Sequence, residues 1–301
     1  MLGARYWLAE HPAIVSFRWS HAESWGSTWS FLFSSIAIYV VASLTLHLFL
    51  SLFGRRRPVP LGPIPALHSL AMAFVSATIF LGLLFSSLAE IRDTRWFWRR
   101  SKTPLQWLFC FPLGTRPTGR VFFWSYAFYL SRFLHLFRTF VSILRRRRLT
   151  FSRLFYHSIH LCMSFLWLEF SQSFQVLAIL STTLAYVVVF GYRFWVGVGL
   201  PVAGGTGACC FPLVLGCQIA LLGCNLVCHL GVLLLHFWKG GCNGIGAWVF
   251  NSVLNAALLL VFLNCHVRRF IDKGKRLSLD EDCPSLHCRP SSELQPYKKD
   301  Q

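Results

Sequence analysis

The sequence predicts an all-α, polytopic membrane protein with about seven transmembrane helices. Of its 301 residues, 55% are hydrophobic and 13% are charged, whereas a soluble domain carries about 25% charged residues. The apolar residues form runs of the length that crosses a bilayer, about 20 residues, and short basic stretches separate these runs. The predicted spans are residues 31–53, 67–88, 121–144, 154–170, 174–192, 210–236 and 247–267.

Three regions follow from these spans. Residues 1–30 are predicted to form an N-terminal lumenal or interfacial segment. They lack a basic start followed by an apolar stretch, so the first span is expected to act as an uncleaved signal anchor. Residues 31–270 form the membrane domain, and residues 271–301 are polar and predicted to be a disordered tail.

Basic clusters predict the orientation of the spans. Clusters at residues 55–57, 145–148 and 268–276, together with Arg193, all fall on one side of a seven-span chain. The excess of Lys and Arg marks the cytosolic side, which places the N-terminus in the lumen. The basic stretch 92–120 would then be lumenal, and its tryptophans indicate that it lies along the interface.

The C-terminal residues favour the endoplasmic reticulum. Lys298 and Lys299 stand third and fourth from the end of the printed sequence, the spacing of a dilysine retrieval signal on a cytosolic tail. Such a signal is an address read by a receptor. The alternative is an ordinary solvated tail.

The net charge of +18 and the eleven cysteines admit several interpretations. Because the charges are clustered between apolar runs, anionic lipid headgroups or a phosphate-bearing ligand are favoured over nucleic acid.

Cys283 and Cys288 lie in the polar tail, where they could be free or lipidated. The cysteines of the apolar segments are predicted to be small buried hydrophobic residues; they are Cys162, Cys217, Cys224, Cys228 and Cys265.

Ionisable residues within the third and fourth spans form the candidate site, since such residues are costly in a bilayer and usually functional. Arg132, His135 and Arg138 recur at i, i+3 and i+6, and His157 and His160 at i, i+3, so each set shares a helical face. The imidazoles could act as nucleophile or base, or lie in a polar core. A metal site is disfavoured because no third ligand is nearby. The arginines could bind anions or extend to lipid phosphate.

Several short sequence motifs occur along the chain in a fixed order. They follow the order K-x-x-E-x-x-D-T, L-R-K-K, F-L-H-x-x-H-H, W-L-Q-x-S-Q-S and N-x-x-x-H-x-x-M-Y-x-Y-Y, over roughly residues 61–275. The matching residues are Arg132, Thr139, Leu144-Arg145-Arg146-Arg147, His157, His160, Trp167-Leu168-Glu169-Phe170-Ser171-Gln172-Ser173, Tyr192, Gln218, Gly241, Cys242, Gly246, Trp248 and Asn251. In this ordered set the chain resembles the ELO family of very-long-chain fatty-acid elongases.

The chain departs from that signature at positions where the family does its chemistry. His135 and Arg138 replace the glutamate and aspartate, and Leu161 replaces the third histidine of the box. In the fifth span, Thr182 and Tyr186 replace an asparagine and a histidine. The resemblance therefore supports the fold more directly than the activity.

The resemblance implies a ring of helices around an acyl tunnel that is closed at the lumenal end. It implies condensation of an acyl-CoA with malonyl-CoA to give 3-oxoacyl-CoA, CO2 and CoA, a step in the synthesis of very-long-chain, sphingolipid-precursor fatty acids, with no cofactor. His157, His160 and Tyr186 would be catalytic, with His160 as the nucleophile. The residues expected to bind CoA or the malonyl group are Arg132, His135, Arg138, Arg145, Gln172, Tyr192 and Gln218.

The same resemblance implies partners and leaves alternatives open. The partners would be the ketoacyl-CoA reductase, the dehydratase and the enoyl reductase of the elongation cycle, and homo-oligomers are an option. A catalytically impaired relative would instead scaffold or regulate that complex. A seven-span transporter or receptor would explain the spans but not the ordered motifs.

Overall fold

The computed structural model describes residues 2–52, 60–95, 104–146, 149–199, 210–257 and 259–260. Over these residues the chain is helical, and its only β pairing is an isolated bridge between Arg18 and Thr118. The chain divides into a unit Met1–Ala256 and a unit Ala257–Gln301, and the first is described below. Several predictions fall outside the described residues: the basic clusters 55–57 and 268–276, Trp96 and Trp98, the dilysine pair, and Cys265, Cys283 and Cys288.

Over the described residues a helix coincides with each predicted span, but the helix at the seventh span, Ile245–Ala257, is short. Among the described residues, three segments are long and apolar enough to cross a membrane: Trp29–Leu52, Ile64–Asp93 and Gln175–Gly197. The remaining helices are too short over the described residues, or too polar, to be identified as spans in this way. We label the helices at the predicted spans α1 (Trp29–Leu52), α2 (Ile64–Glu90), α3 (Arg120–Leu144), α4 (Phe151–Glu169), α5 (Gln175–Gly197), α6 (Cys210–Lys239) and α7 (Ile245–Ala257).

Helix α2 packs against both α3 and α5, and α3 packs against α4. Small buried residues of α2 allow the close approach, as is common between membrane helices. At Gly82 an added Cβ would lie 2.1 Å from the Trp124 ring of α3. Any larger residue at Gly82 would therefore push α2 and α3 apart.

The N-terminal segment packs across the start of α3 and the end of α4. It contains short helices at Leu2–Arg5, Tyr6–Glu10 and Pro12–Val15. The indole nitrogen of Trp19 donates to Glu169 Oε2 at 3.0 Å, and the Trp124 indole donates to the Leu8 carbonyl at 2.9 Å. These contacts fix the segment to the end of the bundle at which α4 terminates.

A disulfide joins Cys110, just after the short helix Pro104–Phe109, to Cys242 between α6 and α7. The pairing was not anticipated, because 132 residues separate the two cysteines and no local spacing connects them. The burial predicted for the span cysteines is wrong for Cys224, which is exposed; Cys162, Cys217 and Cys228 are partly buried. An apolar residue on the outer face of a membrane helix can contact lipid instead of a core.

Candidate active site: a small cavity lined by imidazoles and a buried arginine

A small cavity lies between α3, α4 and α5 at about mid-length of these helices. Arg132 is 12 residues from either end of α3, about 18 Å along the helix axis. The site therefore lies midway along α3 and not at either of its ends. The lining residues are Arg132, His135, Tyr156, His157, His160 and Tyr186.

Arg132 provides a buried positive charge in this cavity. Arg132 is only 3% exposed. Nη1 donates to the Tyr186 hydroxyl at 3.2 Å and Nη2 donates to Ser131 Oγ at 3.3 Å, while Nε has no partner among the described atoms. No carboxylate of the described chain forms an ion pair with it. Because a buried charge is costly without a counter-ion, the cavity favours an anionic ligand.

His135 lies one turn further along the same face of α3. Its ring centroid is 4.8 Å from that of Tyr186 and 5.4 Å from that of Phe190. The residue is buried, and its Nε2 has no hydrogen-bond partner in the described structure. A buried nitrogen without a hydrogen-bond partner has lost its water without gaining a bond in return. The Nε2 of His135 is therefore available to form a hydrogen bond with a molecule in the cavity.

The two imidazoles of α4 both contact the ring of Tyr156. The Tyr156 ring is 4.3 Å from the His160 ring and 5.4 Å from the His157 ring, centroid to centroid. The His157 ring also lies 6.5 Å from the ring of Tyr39 of α1, edge to face. Sequence reasoning missed Tyr156, although its i, i+4 spacing to His160 places the two side chains next to each other.

The cavity has little free volume in this conformation. The space in which the centre of a water molecule could lie is about 10 Å³, close to the minimum for one water. The acyl tunnel that the family resemblance implies is thus not open at the described lining residues. An acyl group could enter only if side chains along the helices moved apart.

Other predicted binding residues lie away from this cavity. Arg138 stacks over the Phe190 ring, with Cζ 5.8 Å from its centroid. Arg145 is exposed at the end of α3, and Tyr192 is partly buried in α5. Gln172 is buried beyond the end of α4, where its Oε1 accepts a hydrogen bond from Asn251. Gln218 belongs to α6, and its side chain lies outside the described set.

This arrangement suits acyl transfer. A neutral imidazole can attack a thioester or carry a proton, and three imidazoles share the cavity. A guanidinium binds carboxylate and phosphate oxygens in a bidentate manner. The cavity therefore combines candidate nucleophiles and bases with an anion-binding group.

Comparisons with known proteins agree with the motif order. The family model "ELO: GNS1/SUR4 family" matches residues 24–278. "Fatty acid elongase 3-like" of Arabidopsis thaliana is 65% identical over 266 residues, which are 87% of this chain and 90% of that protein. "Fatty acid elongase sre1" of Dictyostelium discoideum is 23% identical over 164 residues, 54% of this chain and 57% of that protein. No solved structure was found to match.

Proposed function

The chain belongs to the ELO (GNS1/SUR4) family, and from that premise we propose that it is a fatty-acid elongase of the condensing type. Its reaction joins a long-chain acyl-CoA to malonyl-CoA and releases 3-oxoacyl-CoA, CO2 and CoA. The observation that carries the proposal is the buried Arg132, which has no carboxylate partner among the described residues and shares a cavity with three imidazoles. Malonyl-CoA brings a carboxylate and phosphates, and an acyl-CoA brings the thioester that an imidazole can attack.

In the first step His160 takes the acyl group. A ring nitrogen forms a bond to the acyl carbon, the carbon–sulfur bond breaks, and CoA leaves as the thiolate. The proton of the acylated imidazole passes to the thiolate, and His157, one turn away and lining the same cavity, is placed to carry it. Tyr156 packs against both rings and limits their rotation.

In the second step the malonyl carboxylate leaves as CO2. The electron pair of the broken carbon–carbon bond forms the new bond to the acyl carbon, and the imidazole of His160 departs. The departing imidazole takes up a proton from solvent, which replaces the proton that it gave to the CoA thiolate in the first step. One proton is therefore consumed in each turnover. His135, whose Nε2 has no partner among the described groups, is assigned to proton transfer here, because the family's histidine at position 186 is a tyrosine.

Arg132 binds the malonyl carboxylate before it is lost. Its Nε is free of partners in the described structure, and Tyr186 holds its Nη1. A fixed guanidinium has less conformational freedom to lose when it binds an anion. Arg138 and Arg145, further along α3, are assigned to the CoA phosphates.

We assign the protein to the endoplasmic-reticulum membrane, with seven spans around the acyl site and a cytosolic C-terminus. The Cys110–Cys242 disulfide supports this topology. It joins two connections that the basic clusters place on the lumenal side, and disulfides persist in an oxidising compartment such as the lumen. A cytosolic placement of these connections would expose the bond to reduction.

The direct test supplies the purified full-length protein with radiolabelled malonyl-CoA and a series of acyl-CoAs. We expect labelled 3-oxoacyl-CoA from the wild type and a loss of about 100-fold or more in His160→Ala. His47→Ala removes an imidazole of α1 that does not line the cavity, and it should retain activity. A folded wild type that gives no product with any acyl-CoA contradicts the proposal.

The departures from the family signature support a second candidate. Tyr186 and Leu161 occupy histidine positions, and the cavity holds about one water. A catalytically impaired relative would give no product in the assay above. It would nevertheless copurify with the reductase and dehydratase of the elongation cycle, and this outcome would select the regulatory alternative.

A further inference from the structure

A second cavity lies where the end of α2 meets the start of α3, and it shares no lining residue with the imidazole cavity. The space in which the centre of a water molecule could lie is about 260 Å³, against about 10 Å³ beside the imidazoles. This volume is close to the lower limit for small-molecule sites, about 300 Å³. The lining includes Glu90, Trp107, Arg116, Thr118, Arg120 and Phe122.

The connection that leads into α3 forms one wall of this cavity and is held on two sides. The amide of Gly119 donates to the Phe17 carbonyl at 2.8 Å, which ties the connection to the N-terminal segment. The amide of Gly114 donates to Asn243 Oδ1 at 3.2 Å, next to the disulfide-bonded Cys242. The side chains of this wall therefore extend from a fixed backbone, which lowers the ordering cost of binding a ligand.

Arg116 supplies a positive charge without a counter-ion at the opening of the cavity. Arg116 and Thr118 are both exposed, so the cavity reaches the protein surface beside them. Neither side chain forms a hydrogen bond or an ion pair with another described residue. Arg120, by contrast, is 3.2 Å from Asp93 and 3.8 Å from Glu90. A free guanidinium beside a free hydroxyl is suited to a phosphate group.

The cavity lies at the level where a bilayer changes from hydrocarbon to headgroups. Glu90 is in the last turn of α2, within a segment that is long and apolar enough to cross a membrane. Leu81 and Leu88, seven residues apart on one face of α2, are exposed, so α2 contacts lipid close to Glu90. The buried rings of Trp107 and Phe122 add an apolar wall to the charged one. This division matches the border between a lipid headgroup and its acyl chains.

We propose that this cavity binds the headgroup of a zwitterionic membrane phospholipid, with the phosphodiester on Arg116 and Thr118. The phosphodiester oxygens accept hydrogen bonds from the guanidinium and the hydroxyl. An ethanolamine ammonium donates to the carboxylate of Glu90, which lines the same cavity, and the acyl chains stay in the bilayer. This inference goes beyond the elongase function and does not depend on it.

The experiment titrates delipidated full-length protein in detergent with dioleoyl-phosphatidylethanolamine and measures the bound fraction by native mass spectrometry. We expect saturable binding that Arg116→Gln weakens about 10-fold or more, because a hydrogen bond to a charged group is lost. Thr118→Val keeps the shape of the side chain and should weaken binding less. If Arg116→Gln does not fold, Arg116→Lys takes its place, since lysine keeps the charge and loses the planar fork.

Arg18→Gln is the matched control for a general effect of surface charge. Arg18 is an exposed arginine that pairs through its backbone with Thr118, and it does not line the cavity. We expect Arg18→Gln to bind the phospholipid with the affinity of the wild type. Equal affinities of Arg116→Gln, Arg18→Gln and the wild type would overturn the proposed site.

Four further ligands identify which part of the lipid is recognised. Dioleoylglycerol lacks the phosphate, glycerophosphoethanolamine and inorganic phosphate lack the acyl chains, and dioleoyl-phosphatidylglycerol lacks the ammonium. We expect each to bind more weakly than the zwitterionic phospholipid. Dioleoylglycerol binding as tightly would overturn headgroup recognition, and inorganic phosphate binding as tightly would indicate a free-phosphate site instead. Phosphatidylglycerol binding as tightly would overturn the contact with Glu90.

The outcomes also separate this inference from the proposed function, because lipid binding is measured without turnover. An active wild type that shows no saturable phospholipid binding overturns the inference and leaves the elongase function standing. A wild type that gives no condensation product, but binds the phospholipid through Arg116, overturns the elongase function and supports the lipid site.

Discussion

The Tyr186 hydroxyl of α5 accepts a hydrogen bond from Arg132 Nη1 of α3 at 3.2 Å. The Arg132 Cζ also lies 5.0 Å from the centroid of the Tyr186 ring. One residue thus holds the buried guanidinium through an oxygen and a ring face. The tyrosine stands where the family signature has a histidine, and here it positions the cation that we assign to malonyl binding.

Replacing Tyr186 with phenylalanine tests that positioning. Tyr186→Phe keeps the ring and removes the acceptor, and a hydrogen bond to a charged group is worth about 1.5–3 kcal/mol. We expect KM for malonyl-CoA to rise about 10-fold, with a smaller change in kcat. Tyr126→Phe is the matched control, because that hydroxyl bonds to the Trp25 carbonyl, away from the cavity. Equal KM values in both variants would refute the positioning role.

Replacing Arg132 with methionine should separate stability from activity. Arg132→Met fills similar space without the charge, and burying an uncompensated charge costs several kcal/mol. We expect thermal unfolding in detergent at an unchanged or higher temperature, together with loss of condensation. Arg132→Lys keeps the charge but not the planar fork, and should raise KM for malonyl-CoA. A strongly destabilised Arg132→Met protein would show that the guanidinium is structural.

If the cavity requires an imidazole in addition to His157 and His160, this imidazole should function at position 186 as well as at position 135. We expect His135→Gln to lower kcat about 100-fold, the scale of general acid–base catalysis. The double variant His135→Glu with Tyr186→His restores the residues of the family signature at both positions, and should regain most of the activity. Full activity in His135→Gln would exclude a role for its imidazole in proton transfer.

The disulfide predicts the behaviour of the protein on proteolysis. Trypsin added to intact microsomes should cut at the exposed Arg145 if the connection between α3 and α4 is cytosolic. Cys110 and Cys242 then lie on different fragments, which should remain joined on a gel until a reductant is added. Cys228→Ser should leave them joined and Cys242→Ser should not. Fragments that separate without reductant would exclude the bond.

Removing the same disulfide should also lower stability. In the chain-entropy model, closing a loop of 132 residues contributes about 4–5 kcal/mol to the free energy of unfolding. We expect Cys110→Ser to unfold at a clearly lower temperature than the wild type in detergent. Cys228→Ser, which replaces a free thiol of α6, should show little change. Equal unfolding temperatures for the two variants would contradict this stabilising role.

Gly82 provides a prediction about helix packing. Gly82→Val introduces a Cβ that would lie 2.1 Å from the Trp124 ring, so α2 and α3 must separate. We expect poor folding, or a loss of several kcal/mol, since overpacking alone typically costs about 1–3 kcal/mol. Gly216→Val in α6 is the matched control, because no atom lies within 4 Å of its Cβ position. Equal stability of the two variants would contradict the close contact.

The sequence by itself determined the class of protein, the positions of the helices and four of the residues that line the candidate cavity. Apolar runs of bilayer length are local features, so residues 174–192 predicted α5 closely (Gln175–Gly197). Arg132, His135, His157 and His160 were identified from helical spacing and from the cost of placing ionisable groups in lipid. The members of each pair remain together because they share a helical face, and both pairs line one cavity because α3 packs against α4.

Only the tertiary structure decided which distant residues meet. The pairing of Cys110 with Cys242, the bond between Gln172 and Asn251, and the stacking of Phe128 on Trp167 join different helices or connections. Periodicity within a segment carries no information about these contacts, since they depend on how helices rotate and approach. The free volume beside the imidazoles depends on the same packing, and for this reason the family resemblance could imply a tunnel where the structure has room for about one water.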